Sequence, residues 1–378
     1  MDSLGGIFMK IQEIKTHVIM QKLERPFGMS QWLWDSRASC LVEVITDDGI
    51  VGWGECFGPA KTNAALIQEV YAPLLIGENP LFRKKIWEIL YNRTREFGRK
   101  GIVASALSGV DIALWDIFGK HVNQPISVLL GGDSDIVVES YASAFYYNGD
   151  SIPDEAQKLT EQGYQTFKMK VGGLSLAEDL KRVQEVRRSI GANAQLAVDA
   201  NRAYTVYEAI KFGEMITNLD IAWFEEPVLP DDLQGYKEVR SALNIRIAGG
   251  ESEFTRFGFR DFMENRGVDI VQPDVAVCGG LSEATVIGSM ATTYGIDCFP
   301  HLWGSAISLA ATLHLISAIP KAVPSQVRKH PLLELDQAPN VFRDKLSNLV
   351  PSPIMSIPDR PGLGIDIDCE LIEFYELK

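Results

Sequence analysis

Thiol chemistry has little to work with in this chain. Cys40, Cys56, Cys278, Cys298 and Cys369 are scattered, odd in number and without a C-x-x-C pair. That argues against both a disulfide framework and a thiolate zinc site. No uninterrupted run of about 18 apolar residues occurs, so no membrane span is expected. The opening Met1–Phe8 has neither a cationic start nor a long apolar stretch. It reads as a short disordered leader rather than a signal peptide, with Met9 starting the folded part and the cytoplasm as the expected location. Excess basic charge is missing too. The net charge is −14, against a nucleic-acid partner, which would meet a basic patch. Gly52-Trp-Gly54 sits in a hairpin and lacks the G-x-G-x-x-G form, so a dinucleotide-dependent dehydrogenase has no support. Low-complexity tracts and solenoid repeats are absent as well.

What is present is an ordinary globular composition, 46% hydrophobic and 23% charged over 378 residues. That length suits a barrel of about 250 residues with a second domain. The informative pattern lies between Lys168 and His301. Short apolar runs end in an ionisable residue: Thr166–Lys170, Leu196–Asp199, Ile221–Glu225, Ile247–Glu251, Ile270–Asp274 and Cys298–His301. The steps between the ends of these runs are 23 to 29 residues, close to the roughly 30 that a βαβ unit needs. Six polar side chains therefore fall where six successive strands end, and in a (β/α)8 barrel those ends share the catalytic face.

The expected fold class is α/β: a (β/α)8-type, modified TIM barrel with an N-terminal α+β capping domain completed by the C-terminal tail. The capping domain is placed at residues 9–130, the barrel at 131–345 and the returning tail at 346–378. In the cap, Lys10–Ile19, Cys40–Thr46 and Val51–Glu55 read as an antiparallel meander, with Asp47-Asp-Gly49 as a hairpin turn. Arg25–Ser36 between the first two strands reads as a loop. Its Trp32 and Trp34 suit either a lid over a site elsewhere or packing on the barrel rim. Helices are expected at Asn63–Pro73, Pro80–Asn92 and Gly101–Lys120. In the last, Asp111 and Asp116 are assigned structural roles, as are His17, His121 and His314. The first barrel strand is Val137–Ala142 and the eighth Pro331–Leu335, with amphipathic helices such as Ala177–Ile190, Val206–Ile216 and Leu281–Tyr294 between.

Asp199, Glu225 and Glu251 end three neighbouring strands, which lie about 4.8 Å apart. Three anions so close are tolerable only with shared protons or a cation among them. Oxygen-only ligands favour Mg2+ first and Mn2+ second. Lys168 and Lys170, at i and i+2, point to the same side. Their mutual repulsion and a nearby cation are expected to depress their pKa values towards those of a usable base. Across the mouth, Asp274 is placed to orient His301. A metal with a base on either side suits removal of the proton α to a carboxylate through an enediolate, with Glu334 placed to hold the enediolate's other oxygen.

Lys168-Met-Lys170, Asp199-Ala-Asn201, Glu225-Glu-Pro227, Gly250-Glu251, Gln272-Pro-Asp274 and Pro300-His301 resemble the enolase superfamily, mandelate racemase subgroup. So do Asp47–Glu55, Glu334-Leu-Asp336, Asn340 and Pro361-Gly-Leu-Gly364. Sites of that superfamily use a Lys or His base with Mg2+. The resemblance implies that Asp199, Glu225 and Glu251 are metal ligands, that Lys170 is one base, and that His301 with Asp274 is the acid or base opposite. It implies substrate contacts from Lys168, Asn201 and Glu334; Trp32 and Trp303 are further candidates. Ser252 departs from the family, which often has Asn there. The 33-residue interval from His301 to Glu334, including Lys321–His330, resembles acid-sugar dehydratases and galactarolactone cycloisomerase.

The resulting expectation is Mg2+-dependent dehydration of an acid sugar, or cycloisomerisation of its lactone, to a 2-keto-3-deoxy product. A racemase or epimerase of the same architecture is the alternative within the fold. A metal-independent barrel glycosidase, with two carboxylates at about 5 Å, is the alternative from another class, and a non-catalytic binding protein is a third. The implied partner is a small carboxylate, and the resemblance suggests a homo-oligomer, a dimer or an octamer.

Overall fold

The structure is a computed structural model that describes residues 9–320 and 330–377. The leader expected at Met1–Phe8, and residues 321–329 of the long interval before Glu334, lie outside the described residues.

Three strands, β1 (Ile11–Gly28), β2 (Leu33–Thr46) and β3 (Val51–Cys56), form an antiparallel sheet in that order. The helix Ile102–His121 packs across it. Its approach explains Gly52 and Gly54: a Cβ at either would run into the backbone oxygen of Ala113 or Gly109. The two glycines serve backbone packing. This helix is long and apolar enough to cross a bilayer, yet its residues are mostly buried inside the protein. Asp111 and Asp116 act there as structural acceptors. Asp111 takes Ser282 N at 2.9 Å and Ser282 Oγ at 2.6 Å. Asp116 takes Trp53 N at 2.9 Å, Leu363 N at 2.8 Å and Lys120 Nζ at 2.7 Å.

Eight parallel strands follow: β4 (Val137–Ala144), β5 (Thr166–Lys170), β6 (Gln195–Asp199), β7 (Ile221–Glu225), β8 (Ile247–Gly249), β9 (Ile270–Val271), β10 (Asp297–Cys298) and β11 (Leu333–Asp336). Each pairs with the next from β4 to β10, and β11 pairs with β4. Each is followed by a helix, two of which, at Leu176 and Val206, open with capping boxes from Ser175–Glu178 and Thr205–Glu208. This is the capped, modified barrel expected. The chain after residue 345 reaches both units. Ile354–Ser356 (β12) pairs antiparallel with β4, and the helix Cys369–Tyr375 lies against β1.

Several elements differ from the sequence reading. Arg25–Ser36 is largely strand; only the tip between Gly28 and Leu33 turns back. Pro26 falls in the register irregularity between Lys22 and Phe27, where its missing N–H costs no ladder bond. The helix expected to stop at Pro73 runs from Ala60 to Leu75, with one turn of π-helix, Ile67–Tyr71, just before the proline. The sixth and seventh barrel strands end early, because Pro273 and Pro300 cannot donate to a ladder. Asp274 and His301 are nonetheless joined by an isolated parallel bridge beyond the strand ends. The eighth strand starts two residues later than expected and extends to Asp336.

The cap is fastened to the barrel by Glu55 of β3, which is buried. It accepts from Ser39 Oγ at 2.6 Å and from the Ser305 and Ser308 hydroxyls, each at 2.6 Å. It also takes the backbone N–H groups of Ser305 and Ser308, at the start of the helix Ala306–Ala318, where the helix dipole favours an anion. On the same helix His314 is fully buried. Its Nδ1 accepts from Ser127 N at 3.1 Å, and its Nε2 donates to Leu363 O at 3.1 Å.

Burial holds His314 neutral, lowering its pKa to about 4 despite the Leu363 carbonyl. An unfolded chain takes up that proton near pH 6.5. The unfolded state therefore binds more protons between the two values. Stability is complete above about pH 6.5 and falls as the pH drops towards 4. This loss should reach about 2 kcal/mol at pH 5 in urea unfolding compared with pH 7.5. A His314→Asn variant, less stable at pH 7.5, should lack that share of the pH dependence.

Candidate active site

The strand ends bring the sequence-predicted residues together at one mouth. Asp199 and Glu225 are the last residues of β6 and β7, and Glu251 lies two residues beyond β8, after Gly250 at φ 119°. One carboxylate oxygen from each lies within 4.8 Å of the others. That spacing is close enough for the three oxygens to share one hard divalent ion. The all-oxygen donor set fits the same class of ion.

Two lysines hold this cluster from one side. Lys168 Nζ donates to Glu225 Oε1 at 2.5 Å and is 2.8 Å from Glu334 Oε1 and 3.6 Å from Asp199 Oδ2. Lys170 Nζ donates to Asp199 Oδ2 at 2.6 Å. Both are buried. From the opposite side, His301 Nδ1 donates to Asp274 Oδ2 at 2.7 Å, and its Nε2 is 3.4 Å from Glu251 Oε2. Asp274 is itself fixed by Ala276 N at 2.7 Å. Lys170 thus flanks Asp199, and His301 flanks Glu251.

The electrostatics correct one expectation. Burial alone would lower both lysine pKa values, but the surrounding carboxylates more than offset it. Glu225 and Glu334 raise Lys168, and Asp199 raises Lys170. The mutual repulsion of the two lysines is the smaller effect. Burial pushes Asp199 up, but Lys170 and Lys168 bring it below the usual carboxylate range, and Lys168 and His301 do the same for Glu334. Glu225 is raised by its own burial, against Lys168. His301, although burial disfavours its charge, is raised to about 10 by Glu251, Glu334 and Asp274.

Asn201 is buried in a left-handed conformation at φ 44°, which Asn tolerates. Its N–H donates to Asp199 Oδ1 at 2.9 Å, and its Oδ1 is unpartnered. The cap tip rests on it, with Gln31 Nε2 donating to Asn201 O at 2.7 Å. Trp32, beside Gln31, is 52% exposed and is not drawn into the cluster. Trp303 packs among aromatic rings instead, 6.1 Å from that of Tyr146 and 5.9 Å from that of Phe27. Trp34 packs on Trp303 at 6.3 Å, the rim-packing role rather than an open lid.

Sequence reasoning missed several supporting side chains. Trp223 Nε1 and Gln272 Nε2 donate to Glu225 Oε2 at 3.0 and 2.7 Å, and Tyr141 OH donates to Glu334 Oε2 at 3.0 Å. Trp223 stands at i−2 from Glu225, so strand alternation alone placed it on the same face. Glu226 is raised well above the usual range by burial and by Glu251. Arg202 bonds Ser252, whose hydroxyl donates to Glu226 Oε1 at 3.1 Å. The departure at Ser252 therefore lies in the network behind Glu251.

A capped barrel whose strand ends gather a carboxylate trio between a lysine pair and a histidine–aspartate couple has the arrangement of an enzyme's active site. Residues 13–131 match the mandelate racemase / muconate lactonizing enzyme N-terminal domain, and 151–371 match the enolase C-terminal domain-like family. The chain belongs to the enolase superfamily, in the mandelate racemase/muconate lactonizing enzyme subgroup, which displaces the glycosidase and binding-protein readings. It is 42% identical to D-galactarolactone cycloisomerase of Agrobacterium fabrum, over 98% of this chain and 99% of that one. It is 36% identical to arabinonate dehydratase of Saccharolobus solfataricus, over 89% and 90%. Among solved structures, 3,6-anhydro-D-galactonate cycloisomerase from Zobellia galactanivorans superposes with a TM-score of 0.89 at 37% identity, covering 98% of this chain and 100% of that one. A racemase from Streptomyces coelicolor A3(2) with bound magnesium gives 0.87 at 26%, covering 97% and 100%.

If the trio seats a cation, metal-stripped protein titrated with Mg2+ should show one binding event by calorimetry. At a hundredfold excess over Kd the added stability should be about 2.7 kcal/mol. Glu225→Gln and Glu251→Gln should each abolish the binding heat, and heat unchanged in both would contradict the site.

Proposed function

We propose that this protein abstracts the proton α to the carboxylate of an acid sugar or its lactone and expels the oxygen at the β-carbon, giving a 2-keto-3-deoxy acid. The observation that carries the reading is the placement of Lys170 and His301 at opposite ends of one carboxylate trio. Asp199, Glu225 and Glu251 would hold Mg2+, with Mn2+ as substitute. When bound, the cation supplies positive charge that acidifies the α-proton and offsets the carboxylates now holding the lysines' protons.

Lys170, once neutral, takes the α-proton. Lys168, bonded to Glu225 and Glu334, keeps its proton and binds the substrate carboxylate. Glu334, steadied by Tyr141 and kept ionised by Lys168 and His301, holds Lys168 in place. His301 is held protonated by Glu251, Glu334 and Asp274, which suits a general acid delivering its proton to the departing oxygen. If that oxygen is a hydroxyl, water leaves and the enzyme is a hydro-lyase. If it is the ring oxygen of a lactone, nothing leaves the molecule and the reaction is an isomerisation. The relatives named above include both kinds. The two-sided site also admits a second reading, epimerisation, in which His301 returns a proton to carbon.

A panel of acid sugars and lactones in D2O with Mg2+, followed by NMR, should show deuterium at the α-position and a semicarbazide-reactive keto acid. Lys170→Met and His301→Asn should each lower turnover by about 10^2–10^4-fold, and EDTA should abolish it. Deuterium uptake without keto acid would favour epimerisation. Parent-like rates in both variants would refute the assignment of base and acid.

A further inference from the structure

One buried cation near the mouth has no part in the chemistry above. Arg37 of β2 is 5% exposed, and its guanidinium lies between the rings of Phe27 and Trp303, 4.8 and 4.2 Å from their centroids. Its Nε donates to Pro339 O at 3.1 Å, and its Nη2 donates to Asp336. Its Nη1 has no partner, and neither has the indole Nε1 of Trp34. Both residues line one cavity of about 340 Å3 between cap and barrel, whose wall continues through Trp303 and Gly304, just past His301 in the chain.

We infer that Arg37 and Trp34 recognise a second carboxylate at the far end of the substrate, so that the enzyme prefers an aldarate or its monolactone over an aldonate. The inference rests on the proposed reaction and adds the class of acid sugar. Three observations support it. First, the two unpartnered buried atoms in the cavity wall are both donors. The acceptors there are engaged: Glu55 by Ser39, Ser305 and Ser308, and the Asn340 Oδ1 by the N–H groups of Phe342 and Arg343. A group that brings only acceptors matches that lining. Second, one of the two unpartnered donors belongs to a charged group, the Arg37 guanidinium. The Arg37 guanidinium is answered by Asp336, while Arg343, 3.7 Å from Asp336, is paired with Asp344 at 2.7 Å. Third, the cluster touches the reacting end. Tyr146 OH donates to Asp336 Oδ1 at 2.8 Å, while the same ring lies 5.8 Å from Lys170 Nζ. A buried donor left unbonded is costly, and a charge-assisted bond to a carboxylate recovers that cost.

The rival role for Arg37 is a clamp between cap and barrel. Calorimetry in the presence of Mg2+ separates the two, using a six-carbon aldarate and the aldonate that lacks its second carboxylate. The parent should bind the aldarate at least about tenfold more tightly. Arg37→Gln should remove that preference, and Trp34→Phe, which keeps the ring and loses only the N–H, should reduce it. Aldonate affinity should change by less than about threefold in both. Equal affinity of the parent for the two acids, or a preference that survives Arg37→Gln, overturns the inference. So does a loss of affinity for both acids that tracks a fall in Tm. Because binding is read without turnover, failure of the α-proton reaction would show separately, as absent deuterium exchange with the preference intact.

Discussion

Six carboxylates, Asp199, Glu225, Glu226, Glu251, Asp274 and Glu334, are gathered at one end of a barrel with three fixed cations, Lys168, Lys170 and Arg202, and one imidazole. Their mutual repulsion is the constraint on which the site depends. Burial removes the solvent that would screen it, and the low dielectric makes each contact strong in either sign. The lysines are therefore spent on the carboxylates, and both are driven towards the protonated form. Anions remain in excess, and a divalent cation is the economical complement. In the proposed reaction, a cation held by the trio would compete with Lys170 for Asp199, coupling the two through one set of oxygens.

Neutral side chains hold that arrangement in register. Trp223 and Gln272 saturate the outer oxygen of Glu225, Tyr141 does so for Glu334, and Ala276 N pins Asp274. Each bond restricts a carboxylate to a narrow range of orientations, which is what preorganisation of a charged site requires. The cap contributes from above. Glu55 ties β3 to the start of the helix after His301, and Gln31 ties the hairpin tip to the Asn201 loop. The cap is thereby connected to loops on both flanks of the site, one carrying the histidine and one following Asp199.

Much of this was legible beforehand because barrels repeat. An apolar run ending in a charge, recurring every 23 to 29 residues, marks strand ends whatever the loops do, and the residues so marked did converge. Prolines made the ladder less regular than the pattern. Pro273 and Pro300 cut short the strands before Asp274 and His301, which are held by a bridge instead. The lysine pair showed the other kind of error. Two lysines at i and i+2 suggest mutual repulsion, but the carboxylates facing them belong to other strands, and their number and distance decided the sign.

What the chain alone determined is local and periodic: the strand–helix alternation, the polar residue at or just past the strand ends, and the same-face relation of Lys168 to Lys170. These follow from backbone geometry within a few residues. What only the tertiary structure decided is which groups meet across hundreds of positions. Glu55 finds Ser305, Arg37 finds Asp336, and Trp34 settles against Trp303 rather than swinging free. Such pairings depend on how the cap sheet and the barrel pack, and contact energies and charge states are properties of that packing, not of spacing along the chain.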